Sequence, residues 1–322
     1  MKTQIQALIL TVLIIVSVAV TRNVGTSDVQ NTDVNPRASD AQKLTGISSN
    51  FSYEQASLLD AQDSVKNFEV KKAPTRNWNV LDPSVSAEAV LIQSLEDNFP
   101  FFNYNTYQSW PTASLTKLLT AVVVLENVGE NKKIVIDEAA IRTEGEAGGL
   151  RSGEVFSSRD LLKIMLLTSS NDAAAAFENY IGRDEFTRLV NQKAGELGMT
   201  QTVIFDGSGL TDENTTSAND MLRLGKYIVE NRPEILNWTR VTSQLVQPLN
   251  DATSRTITNV NSLVDKPYFL GGKTGTSEKA RQNLLAVVSF RDMRLVTVIL
   301  GSYDREKDLD ILLQWIDEAY DF

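Results

Sequence analysis

Three short groups of residues have the types and spacing to do chemistry together. Ser114-Leu115-Thr116-Lys117 is a Ser-x-x-Lys at the head of a segment whose apolar residues (Leu118, Leu119, Val122, Val123, Leu125) recur at helical spacing. Three residues are almost one helical turn, so Lys117 falls on the face of Ser114. A serine hydroxyl is a poor nucleophile until a base takes its proton. A desolvated lysine beside a second cation can do so at neutral pH, and a helix N-terminus favours the negative charge that develops. The second group is Ser169-Ser170-Asn171, between two helical patterns. There Ser169 is placed to relay a proton between Lys117 and a leaving amine, and Asn171 to hold a substrate amide and position Lys117. The third is Lys273-Thr274-Gly275, preceded by Gly271-Gly272 and followed by Thr276. Small residues at an edge strand let a substrate backbone approach and pair, while Lys273 and Thr274 offer a charge and a hydroxyl to a carboxylate.

Each group alone has a plain structural explanation: a helix cap, a helix boundary, a glycine-rich turn. Their order is more telling. Ser169 follows Ser114 by 55 residues (169 − 114) and Lys273 follows Ser169 by 104 (273 − 169). They fall at a helix start, an interhelical loop and a strand start.

Composition removes the competing chemistries. The 322 residues include no His and no Cys. A Ser-His-Asp triad, a thiolate nucleophile, a disulfide and an imidazole or thiolate zinc site are all excluded. A hydrolase built from this chain must use Lys, Asp, Glu or Tyr as its base. The net charge of −10, without clustered Lys and Arg, argues against a nucleic-acid partner.

The elements that must position these residues are legible in outline. Residues 1–22 read as a signal peptide or an N-terminal membrane anchor, since Lys2 and Arg22 bracket 19 uncharged residues. Residues 23–79 are polar and read as a tether with little fixed structure, with at most a short helix near Tyr53–Phe68. Folded character is expected from Val80 to the end. Ala87–Leu95 and Phe99–Tyr104 read as a strand pair, followed by a helix over Ser114–Asn127 and a glycine-rich loop over Glu144–Gly153. Further helices are expected over Arg159–Leu167, Asp172–Ile181, Glu185–Leu197 and Ala218–Glu230. Leu284–Phe290 and Arg294–Leu300 read as antiparallel strands turning at Arg291-Asp292, and Lys307–Tyr320 as a closing helix. The expected class is α+β, an antiparallel sheet flanked by helices with an all-helical subdomain.

With Asp at the position of Ser170 in the middle motif, this trio is the signature of β-lactamases and penicillin-binding proteins. From Ala87 to Trp315 the chain resembles the D-alanyl-D-alanine carboxypeptidase family, the low-molecular-mass penicillin-binding proteins. Pro111–Ala121 is close to that family's nucleophile signature. Leu161–Ala174 resembles its second motif, where Gly is common at the position of Ser170. Leu197-Gly198-Met199, Gly209-Leu210, Ser217–Met221, Asn259–Leu263 and Leu300-Gly301-Ser302 before Arg305-Glu306 are similar to its framework. The resemblance implies a β-lactamase/DD-peptidase-like fold and a serine peptidase acting on wall peptides ending in D-Ala-D-Ala. Ser114 would be acylated and Lys117 its base, with Ser169 and Asn171 assisting. Lys273 and Thr274, with Gly275 and Thr276 beside them, would hold the substrate, and the N–H groups of Ser114 and Thr276 would form the oxyanion hole. It implies no metal and no organic cofactor, β-lactams as covalent inhibitors, and a place outside the cytoplasm. The last helix is acidic and a poor match for anionic lipid, so any tether is expected at the N-terminus.

Two features depart from the family pattern. Many relatives carry a second, β-rich domain, whereas this chain runs about 50 residues beyond the third motif. Glu278-Lys279-Ala280-Arg281 also replaces a smaller turn at the rim of the site. Other readings remain in view. A class A β-lactamase needs a deacylating Glu in Glu-x-x-Leu-Asn, and the nearest stretch, Glu234-Ile235-Leu236-Asn237, has the wrong spacing and reads as a helix end after Pro233. A non-catalytic wall-binding scaffold would be expected to lose Ser114, Lys117 or Lys273, and all three are present. A DD-endopeptidase acting on cross-links shares the same chemistry.

Overall fold

The long β segments are apolar at both odd and even positions, so the sheet they form must be covered on both faces. A computed structural model describes residues 73–145 and 147–322. Its central sheet contains β1 (Ala89–Ser94), β2 (Pro100–Tyr104), β3 (Phe269–Ser277), β4 (Arg281–Phe290) and β5 (Met293–Ser302). The order is β3-β4-β5-β1-β2, with every neighbouring pair antiparallel. One face presents Ala89, Leu91, Leu285, Val287, Val296, Val298 and Leu300 to the helical part of the molecule. The other presents Val90, Ile92, Leu284, Ala286, Val288, Leu295 and Ile299 to the C-terminal helix. The expected turn at Arg291-Asp292 joins β4 to β5.

The helical part is built around α1 (Thr116–Asn127), whose residues from Thr116 to Val124 are all buried. Around it lie α2 (Glu138–Ile141), α3 (Ser158–Leu167), α4 (Asn171–Ile181), α5 (Arg183–Glu196), α6 (Ala218–Asn231) and α7 (Pro233–Thr239). Serine side chains start three of them. Ser157, Ser170 and Ser217 accept from the N–H of Asp160, Ala173 and Asp220, satisfying amides that the first turn cannot. Gly182, at φ 95°, breaks the chain between α4 and α5. α8 (Arg305–Ala319) closes the fold over the sheet through Leu309, Leu312, Leu313 and Ile316. The α+β class and the helical subdomain are as expected.

Some local expectations change. Ordered pairing is present before Val80: Thr75 and Arg76 pair with Asp321 and Tyr320, and the Arg76 guanidinium lies over the Trp315 ring at 4.8 Å. Pro233 begins a helix rather than following one, as its preset φ and missing N–H suit a first helical position. Ser243–Val246 and Arg255–Thr258 form a hairpin that the pattern did not announce, since each strand is short and mostly exposed. The third motif lies inside β3 instead of at its start. The leader, the polar stretch as far as residue 72 and the short helix near Tyr53–Phe68 lie outside the described residues.

The two parts are joined beneath Ser114 by one buried side chain. Asn283 on β4 donates from Nδ2 to the carbonyls of Pro111 (2.8 Å) and Thr112 (3.1 Å), and its Oδ1 accepts from Gly301 N–H (2.9 Å). Replacing it would leave three backbone groups without this partner, at a cost of about 1 kcal/mol each. Asn283→Ala is expected to lower unfolding stability by about 3 kcal/mol in urea titration.

Candidate active site

Ser114 occupies a single 3-10 turn, Ala113–Leu115, immediately ahead of α1 rather than in the helix itself. Ala113 holds φ at 45°, a conformation that costs a non-glycine residue about 1–2 kcal/mol, so its surroundings must impose it. Thr112 N–H donates to the Asn214 carbonyl at 2.8 Å, and Thr116 Oγ1 donates to the Ala113 carbonyl at 3.0 Å. Gly209 presses so close that a Cβ there would lie 1.9 Å from the Ala113 oxygen. Ser114 is left half-buried at the junction of sheet and helices.

Lys117 is wholly buried. Its Nζ lies 2.9 Å from Ser114 Oγ, 2.7 Å from Asn171 Oδ1 and 2.6 Å from the Ser208 carbonyl oxygen. The last two atoms only accept, so they take two N–H bonds. In the neutral amine the remaining tetrahedral position is a lone pair facing Ser114 Oγ. The Asn171 amide is held in the required orientation because its Nδ2 donates to the Glu144 carbonyl at 2.7 Å. Burial pulls the Lys117 amine from 10.5 down to about 7, against the opposing attraction of Asp206.

The remaining predicted residues gather on the other side of Ser114. Lys273 Nζ donates to Ser169 Oγ at 3.1 Å and to the Thr274 carbonyl at 2.7 Å. Burial, with the charges of Lys117 and Arg305 adding to it, drives the Lys273 amine well below its usual range. Ser169 therefore bonds Lys273 in this structure, where the sequence reading set it beside Lys117. It sits at φ 59°, a left-handed conformation rare for serine. Ser170, at the position where Gly is common, caps α4. Gly275 faces Asn283 across the ladder, and a Cβ on it would lie 3.0 Å from Ser114 N. The bare backbone thus brings the edge strand β3 against the Ser114 turn. Thr276 Oγ1 accepts from Arg305 Nη1 at 2.8 Å, and the same nitrogen donates to the Gly275 carbonyl at 3.1 Å.

The structure joins Ser114, Lys117 and Asn171 in one hydrogen-bonded group and Ser169 and Lys273 in another, with Gly275 against the Ser114 turn, Thr274 meeting Lys273 through its carbonyl and Thr276 bonded to Arg305. Arg305, which the sequence marks only as framework, also reaches this region, as do Ser208 and Asp206. A backbone carbonyl ligand such as that of Ser208 leaves no mark in a sequence. Asp206 does carry a signal, an acid before Gly207-Ser208-Gly209, a pattern that favours a side-chain-capped turn.

Ser114 beside a buried lysine, with a lysine-bearing edge strand packed against its turn, is the arrangement found here, and the chain is similar to known proteins of one family. The family model for D-alanyl-D-alanine carboxypeptidase, peptidase family S11, matches residues 77–304. The chain belongs to that family. It is 30% identical to the D-alanyl-D-alanine carboxypeptidase DacC of Escherichia coli over 72% of its own length and 62% of the relative's. It is 29% identical to DacF of Bacillus subtilis over 66% and 57%. A D-alanyl-D-alanine endopeptidase of Haemophilus influenzae is 35% identical over 56% and 63%. The chain thus spans roughly three fifths of these relatives' length. Among solved structures, a D-alanyl-D-alanine carboxypeptidase of Mycobacterium tuberculosis superposes with TM-score 0.68 at 25% identity, covering 75% of this chain and 95% of that one. The Streptomyces K15 DD-transpeptidase shares the fold with TM-score 0.69 at 20% identity, covering 74% and 100%.

The lowered pKa has a consequence for stability. The folded state holds the Lys117 proton less tightly than the unfolded chain does, so the cost of burial is complete below about 7 and fades as pH rises toward 10.5. Lys117→Met has no such proton. Wild type should gain stability relative to that variant, by on the order of a few kcal/mol, between about pH 7 and 10 in paired urea titrations.

Proposed function

We propose that this chain is a serine-type D-Ala-D-Ala carboxypeptidase acting on peptidoglycan stem peptides. The observation that carries the reading is the position of Lys117 Nζ, desolvated, held by two carbonyl oxygens and 2.9 Å from Ser114 Oγ. Ser114 Oγ attacks the carbonyl of the penultimate D-Ala as Lys117 takes its proton. The peptide bond breaks, the terminal D-Ala leaves as an amine carrying the transferred proton, and an ester remains on Ser114. Water then attacks that ester, releasing the shortened peptide and restoring the serine. Ser169 and Asn171 assist proton transfer and alignment.

The charge on the substrate's terminal carboxylate matches Lys273 and Thr274, with Arg305 beside Thr276. A carboxylate bound there would in turn favour the charged form of Lys273, which burial disfavours in its absence. The N–H groups of Ser114 and Thr276 form the oxyanion hole, a role supported by the close approach that Gly275 permits. β-Lactams acylate Ser114 by the same route. The N-terminal segment exports or tethers the protein, placing the domain outside the cytoplasm. Among the described residues no helix is long and apolar enough to cross a membrane.

Cleavage of cross-links is the second reading, supported by the relatives named as endopeptidases. The rim differs from the common pattern: the turn after β3 carries Lys279, paired with Asp212 at 3.2 Å. Peptide shape at this rim separates the two activities.

D-Alanine release from a peptide ending in D-Ala-D-Ala should be measurable with the full chain and absent in Ser114→Ala. Release only from cross-linked peptides would favour the endopeptidase, and absence of both activities would refute the reading. Lys117→Ala should abolish acylation by fluorescent penicillin. In wild type the acylation rate should rise with pH through about 7, as Lys117 loses its proton. A profile flat from about pH 5.5 to 8.5 would remove Lys117 as the base.

A further inference from the structure

The loop from Phe205 to Asn214 is organised around one carboxylate. Asp206 Oδ1 accepts from the N–H groups of Ser208 (2.9 Å), Gly209 (2.7 Å) and Leu210 (3.2 Å) and from Ser208 Oγ (2.6 Å). Its Oδ2 accepts from Thr211 N–H at 3.0 Å. Five donors converging on one side chain fold four successive peptide units into a fixed shape. Two of those units touch the catalytic turn: the Ser208 carbonyl holds Lys117 Nζ, and Gly209 packs on the Ala113 carbonyl. The loop is pinned from behind as well. Gly207 N–H donates to Glu178 Oε1 at 2.6 Å, and Thr120 Oγ1 donates to the Gly207 carbonyl at 2.8 Å.

We propose that Asp206 is a positioning residue for the Ser114–Lys117 pair, acting through the Ser208 carbonyl and through its own charge. The inference rests on the proposed reading of Ser114 and Lys117. Its physical basis is a balance between two opposed effects on one amine. Burial strips the proton from Lys117, while the buried negative charge of Asp206 draws it back. Without Asp206, burial acts unopposed and the Lys117 ammonium becomes a stronger acid. The neutral amine would then form readily but would be a weaker base toward the serine hydroxyl. The carboxylate is equipped to stay charged. Burial would raise it, but the Ser208 hydroxyl and the N–H groups of Thr211, Leu210 and Gly209 hold it below its usual range.

The other ionisable groups near Lys117 act differently. Lys273 on β3 repels it, with Arg305 beyond. Glu178 on α4 lies behind Gly207 with its own carboxyl raised by burial, and Asp172 is buried on the same helix beside Asn171. Asp206 is the acid among them that both builds the Lys117 ligand and attracts its proton.

The test is the Lys117 titration, read by NMR of its 13Cε in the full chain, in wild type, Asp206→Asn and Glu178→Gln. Asp206→Asn should move the Lys117 midpoint to lower pH by more than about half a unit, and the pH profile of penicillin acylation should follow. Glu178→Gln should leave the midpoint nearer wild type. An unchanged midpoint in Asp206→Asn would overturn the proposal, whether or not stability falls, because a merely structural residue would alter folding without moving the titration. A shifted midpoint in a protein that penicillin never labels at Ser114 would sustain the coupling to Lys117 while refuting the peptidase reading.

Discussion

The buried amine of Lys117 is the constraint around which the rest is arranged. A lysine without solvent is expensive to charge and useful only if its lone pair faces something that needs deprotonation. Its two other directions are therefore occupied by oxygens that cannot donate, one from Asn171 and one from the Ser208 backbone. Each of these has its own support. The Glu144 carbonyl orients the Asn171 amide, and the Asp206 carboxylate shapes the Ser208 loop. The middle motif and the loop after it thus hold Lys117 Nζ in place beside Ser114 Oγ.

The strain around Ser114 follows from the same requirement. Bringing Ser114 Oγ within reach of both Lys117 and β3 places Ala113 in a left-handed conformation. Gly209 admits its carbonyl, and Asn283 grips the two carbonyls before it, so the turn is fixed by partners far away in sequence. Gly275 completes the approach from the sheet side. Small residues at these two positions allow backbone to meet backbone where any side chain would hold the elements apart.

Much of this was legible beforehand. The absence of His and Cys left Lys, Asp, Glu or Tyr as the base, and Ser-x-x-Lys at helical spacing placed Lys117 on the face of Ser114. The strands read over Ala87–Leu95, Phe99–Tyr104, Leu284–Phe290 and Arg294–Leu300, with helical patterns between and after them, foretold an antiparallel sheet flanked by helices, and the structure shows apolar residues on both of its faces. What escaped was of three kinds. The Ser243–Thr258 hairpin has short, mostly exposed strands that lack a pattern. Arg305 lies 32 residues beyond Lys273 (305 − 273), and its approach to Thr276 follows from how α8 returns to the sheet. The Ser208 ligand is a backbone carbonyl, identical in type at every residue.

The chemical inventory, the period of each main element and the order of the three motifs follow from residue type and local spacing. The tertiary structure alone decided which motif touches which. Ser169 bonds Lys273 from 104 residues away, and Asn171 bonds Lys117 from 54. Those contacts depend on how helices dock on the sheet, and docking is set by packing summed over the whole core. Burial, too, is a tertiary quantity, and burial is what turns an ordinary lysine into one that is half discharged near neutral pH.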